Sequence, residues 1–98
     1  MDMFMAHMTH SAGSCYLFND ETRKVLKERS GNKEEAAKKH DVKVLYAVYP
    51  PLEHEMFYLL EAPDYKAVER YLKEVGFAHY NKIKIRHVES MELALDRI

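Results

Sequence analysis

Two of the four strands that this sequence predicts carry apolar side chains on both of their faces. In the first strand, Met3-Phe4-Met5-Ala6-His7-Met8-Thr9-His10, the even-numbered and the odd-numbered positions are both mainly apolar. The third strand, Glu55-Met56-Phe57-Tyr58-Leu59-Leu60-Glu61, has the same property. Because successive side chains of a strand point to opposite faces, each of these strands must be covered on both sides. The chain is therefore limited to a layered fold in which both strands are central.

Helices and strands alternate along the chain. Ser30-Gly31-Asn32 falls inside the first helix, where it predicts a kink or a break. Asn19 or Asp20 is expected to cap that helix, and Ser90 the last one. The predicted elements are a strand at Met3–His10, a helix at Glu21–Lys39, strands at Val42–Tyr49 and Glu55–Glu61, a helix at Tyr65–Val75, a strand at Lys82–Val88 and a last short helix at Met91–Arg97.

The resulting βαββαβ order predicts an α+β domain with the ferredoxin-like fold. The fourth strand alternates strictly, with Ile83 and Ile85 on one face and Lys82, Lys84 and Arg86 on the other. A strand with one charged face belongs at the edge of a sheet. Right-handed crossovers then favour a four-stranded antiparallel sheet in the order 4-1-3-2, with strands 1 and 3 central and two helices on one face.

The sheet face that these helices leave uncovered predicts a partner. It still carries Phe, Tyr, Met and Leu side chains, and a monomer rarely leaves such a patch in contact with water. A second copy of the same sheet is the simplest cover. We therefore expect a homodimer that packs sheet to sheet with two-fold symmetry.

Composition excludes several classes of partner. A chain of 98 residues predicts a single domain over residues 1–98, large enough to need no disulfide. Fifteen Lys and Arg against sixteen Asp and Glu give a net charge of −1, so neither nucleic acid nor a membrane surface is an expected partner. The single cysteine, Cys15, fits a reducing compartment, and with no recognisable signal peptide we expect a cytoplasmic protein.

Several segments together resemble a known superfamily. They are Met3-Phe4-Met5, Val42-Lys43-Val44-Leu45-Tyr46-Ala47-Val48-Tyr49-Pro50, Met56-Phe57-Tyr58-Leu59-Leu60-Glu61-Ala62-Pro63-Asp64 and Ala67-Val68-Glu69. This layout resembles the small dimeric α/β-barrel proteins, above all uncharacterised single-domain members, some of which are described as nickel-binding. The resemblance implies a ferredoxin-like fold and a dimer. The superfamily includes monooxygenases, isomerases and ligand-binding modules, so the fold does not select a function. The tryptophan of the haem-degrading members is absent, because the chain has no Trp.

One end of the predicted sheet collects side chains that bind metals. The end of strand 1, the hairpin between strands 2 and 3 and the start of strand 4 meet there. Histidine and cysteine are the usual ligands of zinc, nickel and copper, and separate loops can converge on one ion. The predicted metal ligands, for nickel or zinc, are His10, Cys15, His54 and His79. The alternative is a solvated hairpin beside a small buried cysteine.

A second set of residues is predicted to contact a small molecule. His7 lies on the opposite strand face from His10, so it is a candidate polar group in a pocket between sheet and helices or in the dimer interface. A hydrogen-bonded core histidine is the alternative interpretation. Tyr58 and Tyr80 can present hydroxyl groups to a pocket. The predicted ligand-binding residues are thus His7, Tyr58 and Tyr80.

Three functions remain open from the sequence. The first is a dimer that binds a small ligand or a transition metal at the sheet end or in the barrel pocket. The second is a cofactor-independent isomerase or monooxygenase acting on a small, partly apolar substrate, with His7 or His10 as the base. The third is a structural or regulatory dimer without a site. No catalytic residue is assigned, and whether the protein is an enzyme stays open.

Overall fold

A computed structural model describes residues 1–98 and has an α+β architecture. A four-stranded antiparallel sheet is combined with four helices and two 3-10 turns. The strands are β1 (Asp2–Thr9), β2 (Lys43–Val48), β3 (Glu55–Ala62) and β4 (Lys82–Val88). The helices are α1 (Asp20–Ser30), α2 (Lys33–Lys39), α3 (Tyr65–Glu74) and α4 (Met91–Asp96), and the 3-10 turns are Ala12–Ser14 and Phe77–His79.

The strands lie in the order β2-β3-β1-β4, so β1 and β3 are central. Counted from the β4 edge, the same sheet has the order 4-1-3-2. His7 of β1 lies opposite Phe57 of β3 and Lys84 of β4, which sets the register of the three strands. The prediction that the fourth strand is an edge is confirmed.

One face of the sheet carries the hydrophobic core. Phe4, Ala6 and Met8 of β1 point to this face and are at most 5% exposed. Helix α3 packs over β3 and β4, and its Val68 and Leu72 are fully buried. Burying a large aliphatic or aromatic side chain contributes about 1.5–3 kcal/mol, so these layers supply most of the driving force for folding.

The opposite face of the sheet has no helix over it. Met3, Met5, Phe57 and Leu59 form its apolar centre and are half-buried. Positive side chains border this centre along β4, where Arg86 lies opposite Met5. We call this surface the open face. It is the face for which the sequence predicts a partner.

Four helices are present where the sequence predicts two on the sheet and one short helix after it. The expected single helix at 21–39 is two helices, because α1 ends at Ser30 and α2 begins at Lys33. Its interruption at Ser30-Gly31-Asn32 was expected, and Asn19 caps α1 by accepting a hydrogen bond from the Thr22 amide at 2.9 Å. No helix has the length and apolar character that crossing a membrane requires.

The last helix, α4, projects from the body of the protein. Ser90 caps it by accepting a hydrogen bond from the Glu92 amide. None of its residues is buried: Met91 and Leu95, together with Ile98 just beyond the helix, are 57–100% exposed. The molecule measures 50 × 30 × 16 Å, which is long for 98 residues. A segment with this many exposed apolar side chains lacks its packing partner.

Candidate metal site

Three of the predicted metal ligands meet at one end of the sheet. Ligand atoms of His10, Cys15 and His54 all lie within 4.8 Å of one another. Cys15 is 2% exposed and its thiol is free, whereas the two histidines are half-buried. Two imidazoles and a thiol form a ligand set that suits zinc, nickel or copper.

The chain places these residues through two turns and a backbone hydrogen bond. His10 follows the last residue of β1, and His54 precedes the first residue of β3. The His10 amide donates to the His54 carbonyl at 3.1 Å, which extends the β1–β3 pairing by one step. Cys15 ends the first 3-10 turn, where its amide donates to the Ala12 carbonyl. The sequence assigned His10 to the strand itself, so its position just beyond the strand is a small correction.

The tautomer of His10 is set by a neighbour. The Asn81 side chain donates from Nδ2 to the Phe77 carbonyl at 3.0 Å, which turns its Oδ1 towards His10 Nδ1 at 2.8 Å. Because Oδ1 can only accept, Nδ1 carries a proton, and in the neutral imidazole Nε2 is then the nitrogen with the free lone pair. Nε2 is buried and has no hydrogen-bond partner. A buried basic nitrogen that is unpartnered, with its ring held by a second residue, has the arrangement of a metal-ligating histidine.

A cavity of about 230 Å³ adjoins the three ligands. Besides the ligands, its walls include the apolar side chains Leu17, Phe18 and Leu52. Glu53 and Glu55 also line it, but Glu55 contacts His7 on the open face at 3.0 Å. Three protein ligands beside a cavity leave a coordination position for water or for an added molecule.

His79 does not join this cluster. It ends the second 3-10 turn, is exposed, and lies outside the group formed by the other three ligands. The turn directs the next two residues inward instead, because Tyr80 and Asn81 are half-buried and approach His10. The prediction of His79 beside the other ligands is therefore wrong in position, although its loop does reach the site.

Tyr58 and Tyr80 line a second cavity, of about 330 Å³, between the sheet and the helices. Burial raises the pKa of both phenols to about 12, so both stay protonated at neutral pH. The Tyr80 hydroxyl is buried and has no hydrogen-bond partner. Tyr16 lines both cavities, so the tyrosine-lined cavity adjoins the metal site.

His7 lines neither of the two cavities. It is on the open face, where its ring stacks on Phe57 with centroids 4.7 Å apart and planes 2° apart. Its Nε2 lies 3.0 Å from Glu55 Oε1. The expected position between sheet and helices is wrong, because odd-numbered residues of β1 point away from the helices. The other expected position, in an interface on the open face, stays a prediction.

Asn81 is the site residue that sequence reasoning missed. Its position directly before β4 places it at the same end of the sheet as His10, so the topological argument could have included it. Asparagine is a poor metal ligand beside histidine and cysteine, and a search for ligand types passes over it. Its role is to orient the His10 ring.

Comparison with known proteins gives a likeness of fold alone. A scan of protein-family models finds no match, and a search of curated proteins finds none. Among solved structures, the chain is similar to a REP-associated tyrosine transposase bound to a REP hairpin, with a TM-score of 0.55 and 7% identity. The match covers 99% of this chain and 62% of the transposase chain. The class that the fold and the site define is a small α+β domain with a His-Cys-His cluster.

Proposed function

We propose that this protein binds a transition metal ion, zinc or nickel, through His10, Cys15 and His54. The observation that carries the proposal is the buried, unpartnered Nε2 of His10. Leaving a buried polar atom unpaired costs about 1–3 kcal/mol, and a metal ion bound to that lone pair removes this cost. Asn81 supports the same interpretation, because an amide oxygen on Nδ1 leaves Nε2 as the ligating atom.

The spacing of the ligand atoms fits a small inward movement on binding. Tetrahedral zinc with nitrogen and sulfur ligands needs ligand atoms roughly 3.5 Å apart. The ligand atoms of the three residues now lie within 4.8 Å of one another. Side-chain rotations that move these atoms by about 1 Å would bring them to the separation that the metal requires. The adjoining cavity supplies space for a fourth, exchangeable ligand. An ion held in this way can exchange its fourth ligand, unlike one in a closed structural site.

Titration of the metal-free protein with Zn²⁺, Ni²⁺ and Co²⁺ tests the proposal. We expect one equivalent per chain, with a thiolate-to-metal charge-transfer band for Co²⁺. His10→Ala should remove binding, and Cys15→Ser should remove the charge-transfer band. His79→Ala is the matched control, since His79 is an exposed histidine on the same rim. Binding below one equivalent by every ion, or loss of binding in the control, would contradict the proposal.

A second candidate is a small apolar ligand in the tyrosine-lined cavity. The buried hydroxyl of Tyr80 favours it, because a ligand with one hydrogen-bond acceptor would satisfy that group. The isomerase or monooxygenase alternative requires a base near such a substrate. The residues that line this cavity include no histidine, which gives that alternative less support.

We further propose a ferredoxin-like fold of the dimeric α/β-barrel type, with a homodimer formed through the open face. The apolar centre of that face supports it, because Met5, Phe57 and Leu59 lie together on a surface that no helix covers. A cytoplasmic location fits a free thiol that serves as a metal ligand.

A further inference from the structure

An exposed helix and an exposed groove in this protein have complementary properties. Helix α4 presents Met91 and Leu95 at positions i and i+4, and Ile98, two residues beyond the end of the helix, follows at the spacing i+7, so that the three form one apolar stripe. We call these three residues the α4 stripe. A helix of six residues is too short to be stable in water without packing, so α4 needs a surface to lie on.

The groove lies at the β2 edge, between the sheet and helix α2. It has a volume of about 500 Å³, and its floor is apolar. Three lysines and one acid, Glu34, stand on its rim, which is therefore positive overall, and none of the lysines makes an ion pair with a carboxylate. We call it the lysine-rimmed groove: the floor is Ala37, Val42, Val44, Ala47, Tyr58 and Tyr71, and the lysines are Lys33, Lys38 and Lys43.

The charges beside the α4 stripe are opposite to those of the groove. Glu92 and Asp96 lie on one flank of the helix, four residues apart, and neither makes an ion pair. Arg97, the one cation of this segment, is already paired with Glu89 at 3.0 Å. An acidic flank beside an apolar stripe thus matches a basic rim beside an apolar floor.

Helix α4 does not occupy the groove of its own chain, because none of its residues lines it. Strands β4 and β2 are opposite edges of the sheet, three strand spacings or about 14 Å apart. Only Glu89 and Ser90 connect β4 to α4, so α4 begins within about 11 Å of the end of β4. The groove at the other edge is therefore left open to a segment of another molecule.

We propose that α4 of one copy docks into the lysine-rimmed groove of a second copy, and that the two copies exchange these helices. Such an exchange obeys two-fold symmetry, because each copy gives one helix and receives one. The exchange requires a second copy of the chain but not the contact through the open face. A substitution that disrupts one of these two interfaces can therefore leave the other intact.

Charge reversal on each side of the contact gives a decisive test. The helix variant carries Glu92→Lys and Asp96→Lys, and the groove variant carries Lys33→Glu and Lys38→Glu. Alone, each places like charges against each other in both contacts of its dimer. Mixed, the reversed helix meets the reversed groove, and the native helix meets the native groove. We expect the dimer dissociation constant, from sedimentation equilibrium, to rise at least about tenfold for each variant. It should return to near the wild-type value in the equimolar mixture.

A pair of leucine substitutions separates the stripe from the rest of α4. Leu95→Glu places a charge in the stripe and should weaken the dimer as strongly as charge reversal. Leu93→Glu makes the same change on the opposite side of the helix and should leave the dimer unchanged. A monomeric wild-type protein, or a mixture as weak as either variant alone, overturns the exchange. If no α4 substitution changes the dimer dissociation constant but Leu59→Glu raises it, the helix exchange is refuted and only the open-face dimer is supported.

Discussion

At the scale of single residues, the candidate site depends on the orientation and tautomer of one imidazole. Asn81 accepts from His10 Nδ1, and its own amide is oriented by the Phe77 carbonyl. The lone pair of Nε2 therefore lies in a buried position where only an electrophile or a donor can satisfy it. Asn81, which is not itself a proposed metal ligand, thus determines how well the His10 ring is oriented to bind a metal ion.

Replacement of Asn81 tests that dependence. Asn81→Ala removes the acceptor that holds the His10 ring, and losing such a partner lowers metal affinity by about 10–100-fold. Asn81→Asp keeps an acceptor at the same place and should retain affinity close to that of the wild type. Competition with a chromophoric chelator measures both values. Equal affinity for wild type and Asn81→Ala would show that the ring needs no support.

At the scale of elements, a side-chain cap marks where the first helical segment begins, but not where it resumes after the break. Asn19 caps α1 with a side-chain hydrogen bond to the Thr22 amide, and its Nδ2 donates to the Gly13 carbonyl. Asn32 precedes α2 but makes no capping hydrogen bond with its side chain. Two asparagines thus occupy the same formal position with different contacts.

The two asparagines form a matched pair of substitutions. Asn19→Ala should lower the free energy of unfolding by about 1 kcal/mol, because it removes a satisfied cap. Asn32→Ala removes no hydrogen bond and should change the free energy of unfolding by less than about 0.5 kcal/mol. Urea denaturation followed by circular dichroism measures the difference. Equal losses in the two variants would mean that the cap contact of Asn19 contributes nothing.

At the scale of the whole molecule, the open face is the surface with the strongest requirement for a partner. β1 and β3 are covered by helices on one side only, although their sequences are apolar on both. The polar residues on the open face lie around its centre: Glu55 pairs with His7, and Arg86 lies on the β4 edge. An apolar centre with a polar border is the usual organisation of a protein interface.

A charge in the centre of the open face should abolish the proposed sheet-to-sheet contact. Leu59→Glu buries a carboxylate against an apolar sheet, and we expect the dimer dissociation constant from sedimentation equilibrium to rise at least about tenfold. Leu93→Glu makes the same change on an exposed residue of α4 and is the control. A Leu59→Glu protein with the dissociation constant of the wild-type dimer would exclude the open face as an interface.

Part of the site could be predicted from the sequence because it follows from topology. The end of one central strand and the start of the next must meet when the two are antiparallel neighbours, which brings His10 to His54. Cys15 follows through a short turn. His79 and His7 were misplaced because their positions depend on the conformation of a 3-10 turn and on which face the helices cover. Patterns over a few neighbouring residues predict neither the conformation of that turn nor the face of the sheet that the helices cover.

Local sequence patterns predict the four strands in their order along the chain, the central position of β1 and β3 and the edge position of β4. These follow from side-chain periodicity, which is local. Two other features appear only when the whole chain is packed: Asn81 orients His10, although the two are 71 residues apart, and α4 is left without a packing partner in its own chain. Both outcomes depend on distances between elements that are far apart in the chain. Such distances are set when all layers pack together, and no single segment encodes them.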